Sequence, residues 1–105
     1  MSQFIVITTT SDTEAVLQRI AARLVDEKLA ACCQIHGPIK SVYRWNGKVE
    51  SSAEFELTIK TAAVQFEDVS KVIKSIHNYE VPQIVAVDVT HIETAYGDWV
   101  AASLS

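Results

Sequence analysis

The residues of this chain that could do chemistry are three histidines, two cysteines and a short row of carboxylates that ends in a lysine. His36, His77 and His91 are potential metal donors. They are dispersed, with no H-x3-H or C-x-x-C spacing to bring two donors onto one helix face or into one loop. Cys32 and Cys33 are adjacent, and on a strand adjacent side chains point to opposite faces. They are therefore expected neither to chelate one metal together nor to bridge each other. One is expected in the core and the other toward an interface or cavity. An oligomer interface, with one ligand from each subunit, can gather such donors into a site that no single sequence displays.

The carboxylate row is Glu54, Glu56 and Lys60, all on one face of a strand-like run. In a cleft, Lys60 with Glu54 or Glu56 would be a ligand or acid-base set; on an open face the row is simply solvated. Thr8-Thr9-Thr10-Ser11-Asp12 places several hydroxyls at a helix start, where an anion can bind, although ordinary capping accounts for them. There is no glycine-rich phosphate loop and no G-x-S-x-G. With no complete catalytic constellation, the expectation is a protein that is not an enzyme.

The composition bounds the rest. The 105 residues are enough for one domain, over 1–105, and 49% hydrophobic content places it with ordinary globular chains rather than disordered ones. The net charge of −4 with no Lys/Arg cluster disfavours nucleic acid. No apolar run approaches the roughly 18 residues of a membrane span. Met1-Ser2-Gln3-Phe4-Ile5-Val6-Ile7 lacks the basic start of a signal peptide, so a cytoplasmic location is expected.

Positioning falls to six elements and a C-terminal piece. Phe4 to Thr9 is a β-branched run and reads as a buried strand. Ser11 to Glu14 matches a capping box, with Ser11 as N-cap. Leu17, Ile20, Ala21, Leu24, Val25 and Leu29 then form a helical stripe. A long hairpin follows, with arms on either side of Asn46-Gly47, a dipeptide suited to a type I′ turn. In its second arm Ala53, Phe55, Leu57 and Ile59 alternate with Glu54, Glu56, Thr58 and Lys60, and Cys33 and Ile35 are the core partners in the first. A turn that pairs Trp45 with Lys48 would set Leu57 opposite His36. One extra residue at Gly37-Pro38, a β-bulge, restores Leu57 to Ile35 and Ile59 to Cys33, and it switches the face on which Ser41, Tyr43 and Trp45 lie. Val64, Phe66, Val69, Val72, Ile73 and Ile76 make a second helical stripe, Ile84 to Thr90 a further strand, and Tyr96 to Ala102 a short helix.

The order β-α-β-β-α-β defines the fold class as α+β, a ferredoxin-like sandwich with a long hairpin between its second and third strands and a short C-terminal helix. The hairpin arms exceed an ordinary strand of five or six residues. With Tyr43 and Trp45 near the tip, the overhang is expected to pack on another chain.

At Cys33, Ser41-Val42-Tyr43-Arg44-Trp45-Asn46-Gly47-Lys48, Ile59-Lys60-Thr61 and His77-Asn78-Tyr79-Glu80-Val81-Pro82-Gln83-Ile84, the chain closely resembles the CutA family, named for divalent cation tolerance. The likeness runs from the first strand to Tyr96-Gly97-Asp98-Trp99. It implies a homotrimer, similar in architecture to PII signalling proteins, with the sheets of neighbours joined edge to edge through the long hairpin. It implies a role in divalent metal (copper) tolerance, as a binding or signalling module. The family's inter-subunit ligand cleft carries over onto Cys33, Trp45, Glu54, Lys60, Tyr79 and Glu80, with His77 as the metal residue. Some members have a Cys where this chain has Thr8, and a His-His pair where it has Ile76-His77; the cofactor expected is therefore copper or another divalent metal ion, weakly bound. The alternative is a PII-like trimeric scaffold that binds a small anionic ligand or a partner protein, with metal incidental.

Overall fold

A computed structural model describes residues 3–104. Met1 and Ser2, the start of the segment read as lacking a signal, lie outside the described residues. The elements are β1 (Phe4–Ser11), α1 (Glu14–Asp26), β2 (Cys32–Trp45), β3 (Lys48–Ala62), a 3₁₀ turn at Ala63–Gln65, α2 (Phe66–Ile76), β4 (Val85–Asp88) and α3 (Thr94–Ser103). The four strands form one antiparallel sheet in the order β2-β3-β1-β4. This is the ferredoxin-like arrangement expected from the element order.

Alternation explains the core. Ile5 and Ile7 of β1 and Leu57 and Ile59 of β3 point to one side, where Leu17, Ile20 and Leu24 of α1 and Val69, Val72 and Ile73 of α2 meet them. Each fully buried aliphatic side chain contributes about 2 kcal/mol, so this shared face is what fixes the two helices on the sheet. Cys33 and Ile35 pack against it partly buried.

Several boundaries differ from expectation. Ser11 is not an N-cap: it extends β1, paired with Phe55, and α1 starts after Thr13, whose side chain makes no cap bond. The Ser11 hydroxyl instead accepts from the Thr13 amide and donates to Asn78 Oδ1. Val25 and Val64, assigned to the apolar stripes, are exposed, Val25 near the end of α1 and Val64 in the 3₁₀ turn. β4 is shorter than 84–90 because its pairing with β1 covers only Val85 to Asp88. The C-terminal helix starts earlier, at Thr94, because Glu93 caps it by accepting from the Ala95 and Tyr96 amides.

The hairpin follows the expected register. Asn46 (φ 51°) and Gly47 (φ 77°) both take positive φ, and Trp45 pairs with Lys48. Leu57 faces Ile35 and Ile59 faces Cys33; the register shifts between His36 and Ile39, at Gly37-Pro38. Only glycine fits the first bulge position: Gly37 has φ 143°, and a Cβ there would lie 2.8 Å from the Phe55 ring. The shift carries Ile39, Ser41, Tyr43 and Trp45 onto the face of Glu54, away from that of Cys33.

β1 stops pairing with β3 at Ser11 and Phe55, so the hairpin beyond that pair has no third strand. It projects: the Cα extents are 44 × 26 × 23 Å, and the radius of gyration is 14.3 Å, against roughly 13 Å for a compact chain of about 100 residues. No described helix is long and apolar enough to cross a membrane.

Candidate functional site

Where the hairpin leaves the sheet, the loop after α2 turns past the end of β1 and faces it. Between them lies a groove of about 590 Å³. Tyr43, Trp45 and Glu54 form the hairpin wall; Asn78, Tyr79 and Glu80 lie on the loop wall. The bulge makes this possible, because without it Tyr43 and Trp45 would face away from Glu54.

A continuous hydrogen-bond network fixes the loop. The Tyr79 hydroxyl donates to Glu54 Oε2 (2.6 Å) and accepts from the Asp12 amide (2.8 Å). Asn78 Nδ2 donates to Asp12 Oδ1 (2.9 Å), and its Oδ1 accepts from the Ser11 hydroxyl (2.7 Å). Burial, and then the Glu54 carboxylate, push the Tyr79 phenol above its ordinary pKa, so it remains a donor. Glu54, expected in a solvated row, is buried at 5% exposure, whereas Ala53, expected in the core, is exposed. The cause is the loop, which closes over the face that carries Glu54.

His77 stands beside the groove, its ring 4.9 Å from that of Tyr79. Nε2 donates to the Thr10 carbonyl (2.8 Å) and Nδ1 accepts from the Tyr79 amide (3.0 Å). This pattern defines the neutral Nε2–H tautomer. Desolvation lowers the His77 pKa below the ordinary 6.5, against the opposing pull of the Thr10 carbonyl, Asp12 and Glu54. Both ring nitrogens are used, so a metal could bind His77 only by displacing one of these bonds.

Of the residues assigned to a cleft, the protomer thus brings together Trp45, Glu54, Tyr79 and Glu80. Cys33 packs at the core, and burial, reinforced by Cys32, pushes its thiol pKa up to about 12. Lys60 sits six residues along β3 from Glu54, about 20 Å away on an extended strand, and donates to Gln34 Oε1 (2.7 Å). Glu56 pairs with His36 at 2.9 Å. Hence Lys60, Glu54 and Glu56 do not form an acid-base set within one protomer. Ser11, Asp12 and Asn78 join the network although sequence reasoning assigned none of them to the cleft, reading Ser11 as a helix cap and the run through Asp12 as a helix start. Their only signal was a polar Ser-Asp pair directly after a strand and an Asn between His77 and Tyr79.

The residues available do not fit a resident metal within one protomer. Among the described residues, no three His, Cys, Asp or Glu side chains are grouped to hold an ion; His77 is doubly engaged, and Cys33 is held as the thiol.

An α+β ferredoxin-like chain with a projecting hairpin and an acidic, aromatic groove at its base is the class that these observations define. The family model described as CutA1 divalent ion tolerance protein matches residues 4–103, and the chain belongs to that family. The divalent-cation tolerance protein CutA of Archaeoglobus fulgidus is 41% identical over 100 residues, 95% of each chain. CutA from Xylella fastidiosa superposes with a TM-score of 0.94 at 32% identity, covering 99% of this chain and 100% of that one. A structure described as that of the periplasmic divalent cation tolerance protein CutA from A. fulgidus gives 0.93 at 34% identity, over 97% and 99%.

Proposed function

We propose that this chain is a homotrimeric module of divalent metal ion tolerance, a binding or signalling protein rather than an enzyme, with the groove at the hairpin base as its ligand cleft. The observation that carries the reading is the hairpin itself. It holds Tyr43 and Trp45 beyond the body of the protomer, both about half exposed. It also leaves β2 as an edge strand of 14 residues. A long unpaired edge is a liability unless something pairs with it. The other edge, β4, exposes Val85 and Val87. Joining unlike edges is a heterologous contact, which closes into a ring when the rotation allows.

Copper or another divalent ion, in this reading, binds weakly and between subunits, and His77 joins only after giving up an internal bond. The alternative of a small anionic ligand finds no support in the groove, whose wall carries Glu54 and Glu80 and, among the described residues, no Lys, Arg or His. Residence in the cytoplasm belongs to the same proposal; the A. fulgidus relative is described as periplasmic.

Sedimentation at micromolar protein tests the assembly, and a stable monomer would end the trimeric reading. Calorimetry with Cu(II) and Zn(II) at about pH 7.5 and about pH 5.5, on wild type and His77→Ala, tests the metal. Weak binding that falls with pH and with the substitution is expected. Tight binding indifferent to both would move the site elsewhere.

A further inference from the structure

Glu54 determines what the groove can hold. Its side chain is 5% exposed, yet its only side-chain partner among the described residues is the neutral Tyr79 hydroxyl, on Oε2. No described Lys, Arg or His side chain forms an ion pair with it. A carboxylate has about four acceptor sites, and the single neutral donor on Oε2 leaves the others open toward the groove that Glu54 lines. A cation arriving in the groove would complete it.

The surroundings narrow the kind of cation. Glu80 adds a second carboxylate at the exposed rim. Tyr43 and Trp45 offer aromatic surface, 43% and 45% exposed, to which a weakly hydrated organic cation and its alkyl body both adhere. A small divalent ion instead demands several oxygen or nitrogen ligands in fixed geometry, and among the described residues no three His, Cys, Asp or Glu side chains are grouped to supply them. The 590 Å³ volume falls within the roughly 300–1,000 Å³ of small-molecule sites.

We propose that the groove binds a small organic cation with a primary ammonium head, its N–H groups on Glu54 and its alkyl chain against Trp45 and Tyr43. This rests on the groove being the ligand cleft, and it names the ligand class.

The test is calorimetric titration of the assembled protein with butylammonium and putrescine, with butyrate and butanol as controls, and mapping of amide resonances. Both amines are expected to bind and to shift the signals of Trp45, Glu54 and Tyr79, and neither control to do so. Glu54→Gln should weaken amine binding by about tenfold to a hundredfold, the range of a hydrogen bond to a charged group. Glu80→Gln, at the exposed rim, should weaken it by about twofold to fivefold. If Glu54→Gln does not fold, Glu80→Gln and the controls decide alone. Amines that fail to bind, or butyrate that binds as well, would overturn the proposal. Groove signals that move with Zn(II) or Cu(II) but not with amines would overturn it and leave the cleft reading in place. Amine binding with no groove shifts and no response to Glu54→Gln would remove both. If Glu54→Gln dissociates the assembly and wild type takes no amine, the missing cation is a Lys or Arg of a second copy, and the proposal falls.

Discussion

The Tyr79 hydroxyl donates to Glu54 Oε2 at 2.6 Å while accepting from the Asp12 amide at 2.8 Å. One side chain on a loop thereby ties the end of the first strand to the base of the hairpin, two places 42 residues apart by the numbering of Asp12 and Glu54. Tyr79→Phe keeps the ring and removes both bonds. Leaving the Glu54 carboxylate without its donor should cost about 1–3 kcal/mol, read as a lower denaturation midpoint at unchanged slope. A change within error would mean that the bond contributes nothing net.

His77 supplies a pH dependence whose sign follows from its bonds. Its folded pKa lies below the ordinary 6.5, so the unfolded chain takes up the proton first as pH falls. The stability due to neutral His77 is complete above about pH 6.5 and is lost as pH falls through the lower folded value. Protonation at Nδ1 also breaks the bond from the Tyr79 amide. Chemical denaturation across this window should show the decline in wild type and a smaller one in His77→Gln. Equal slopes in the two proteins would assign the effect to other groups.

Gly37→Ala should disturb the groove from a distance. The new Cβ would meet the Phe55 ring at 2.8 Å and the Glu54 carbonyl at 3.1 Å, at a φ of 143° that side chains rarely adopt. The loss should exceed about 1 kcal/mol. Amide shifts should spread from the bulge to Glu54 and Tyr79. A variant as stable as wild type with an unshifted groove would show that the bulge tolerates a side chain.

Trp45→Ala is expected to weaken assembly more than folding. In the protomer the ring is 45% exposed, so little of the core depends on it. One side of the ring lines the groove; a tryptophan whose remaining surface packs at an interface contributes about 2 kcal/mol or more. Sedimentation should show dissociation at concentrations where wild type stays associated; full retention of the assembly would place the ring outside the interface.

Cys33 should resist alkylation at neutral pH. Its thiol pKa is pushed up to about 12 by burial and by Cys32, so almost no thiolate is present to react. Mass spectrometry after iodoacetamide should find Cys33 unmodified in the native protein and modified once it is denatured. Rapid native labelling at Cys33 would contradict its packing at the core.

The sequence by itself determined the element order, the turn and the bulge, because each follows from contacts near in sequence or from strict alternation. Asn46-Gly47 fixes the turn, and the mismatch of apolar faces requires one extra residue, for which Gly37-Pro38 is the natural place. Tertiary structure decided which polar residues meet. Glu54 and Glu56 look alike in an alternating row, yet one is buried under Tyr79 and the other pairs with His36. Ser11 matches a cap, but strand pairing with Phe55 and the hydrogen bond to Asn78 Oδ1 across the fold take precedence. Hydrogen bonds between residues 67 apart, such as His77 to Thr10, leave no periodicity in the chain. They depend on where a loop of eight residues, His77 to Ile84, is brought down by the packing of α2 on the sheet.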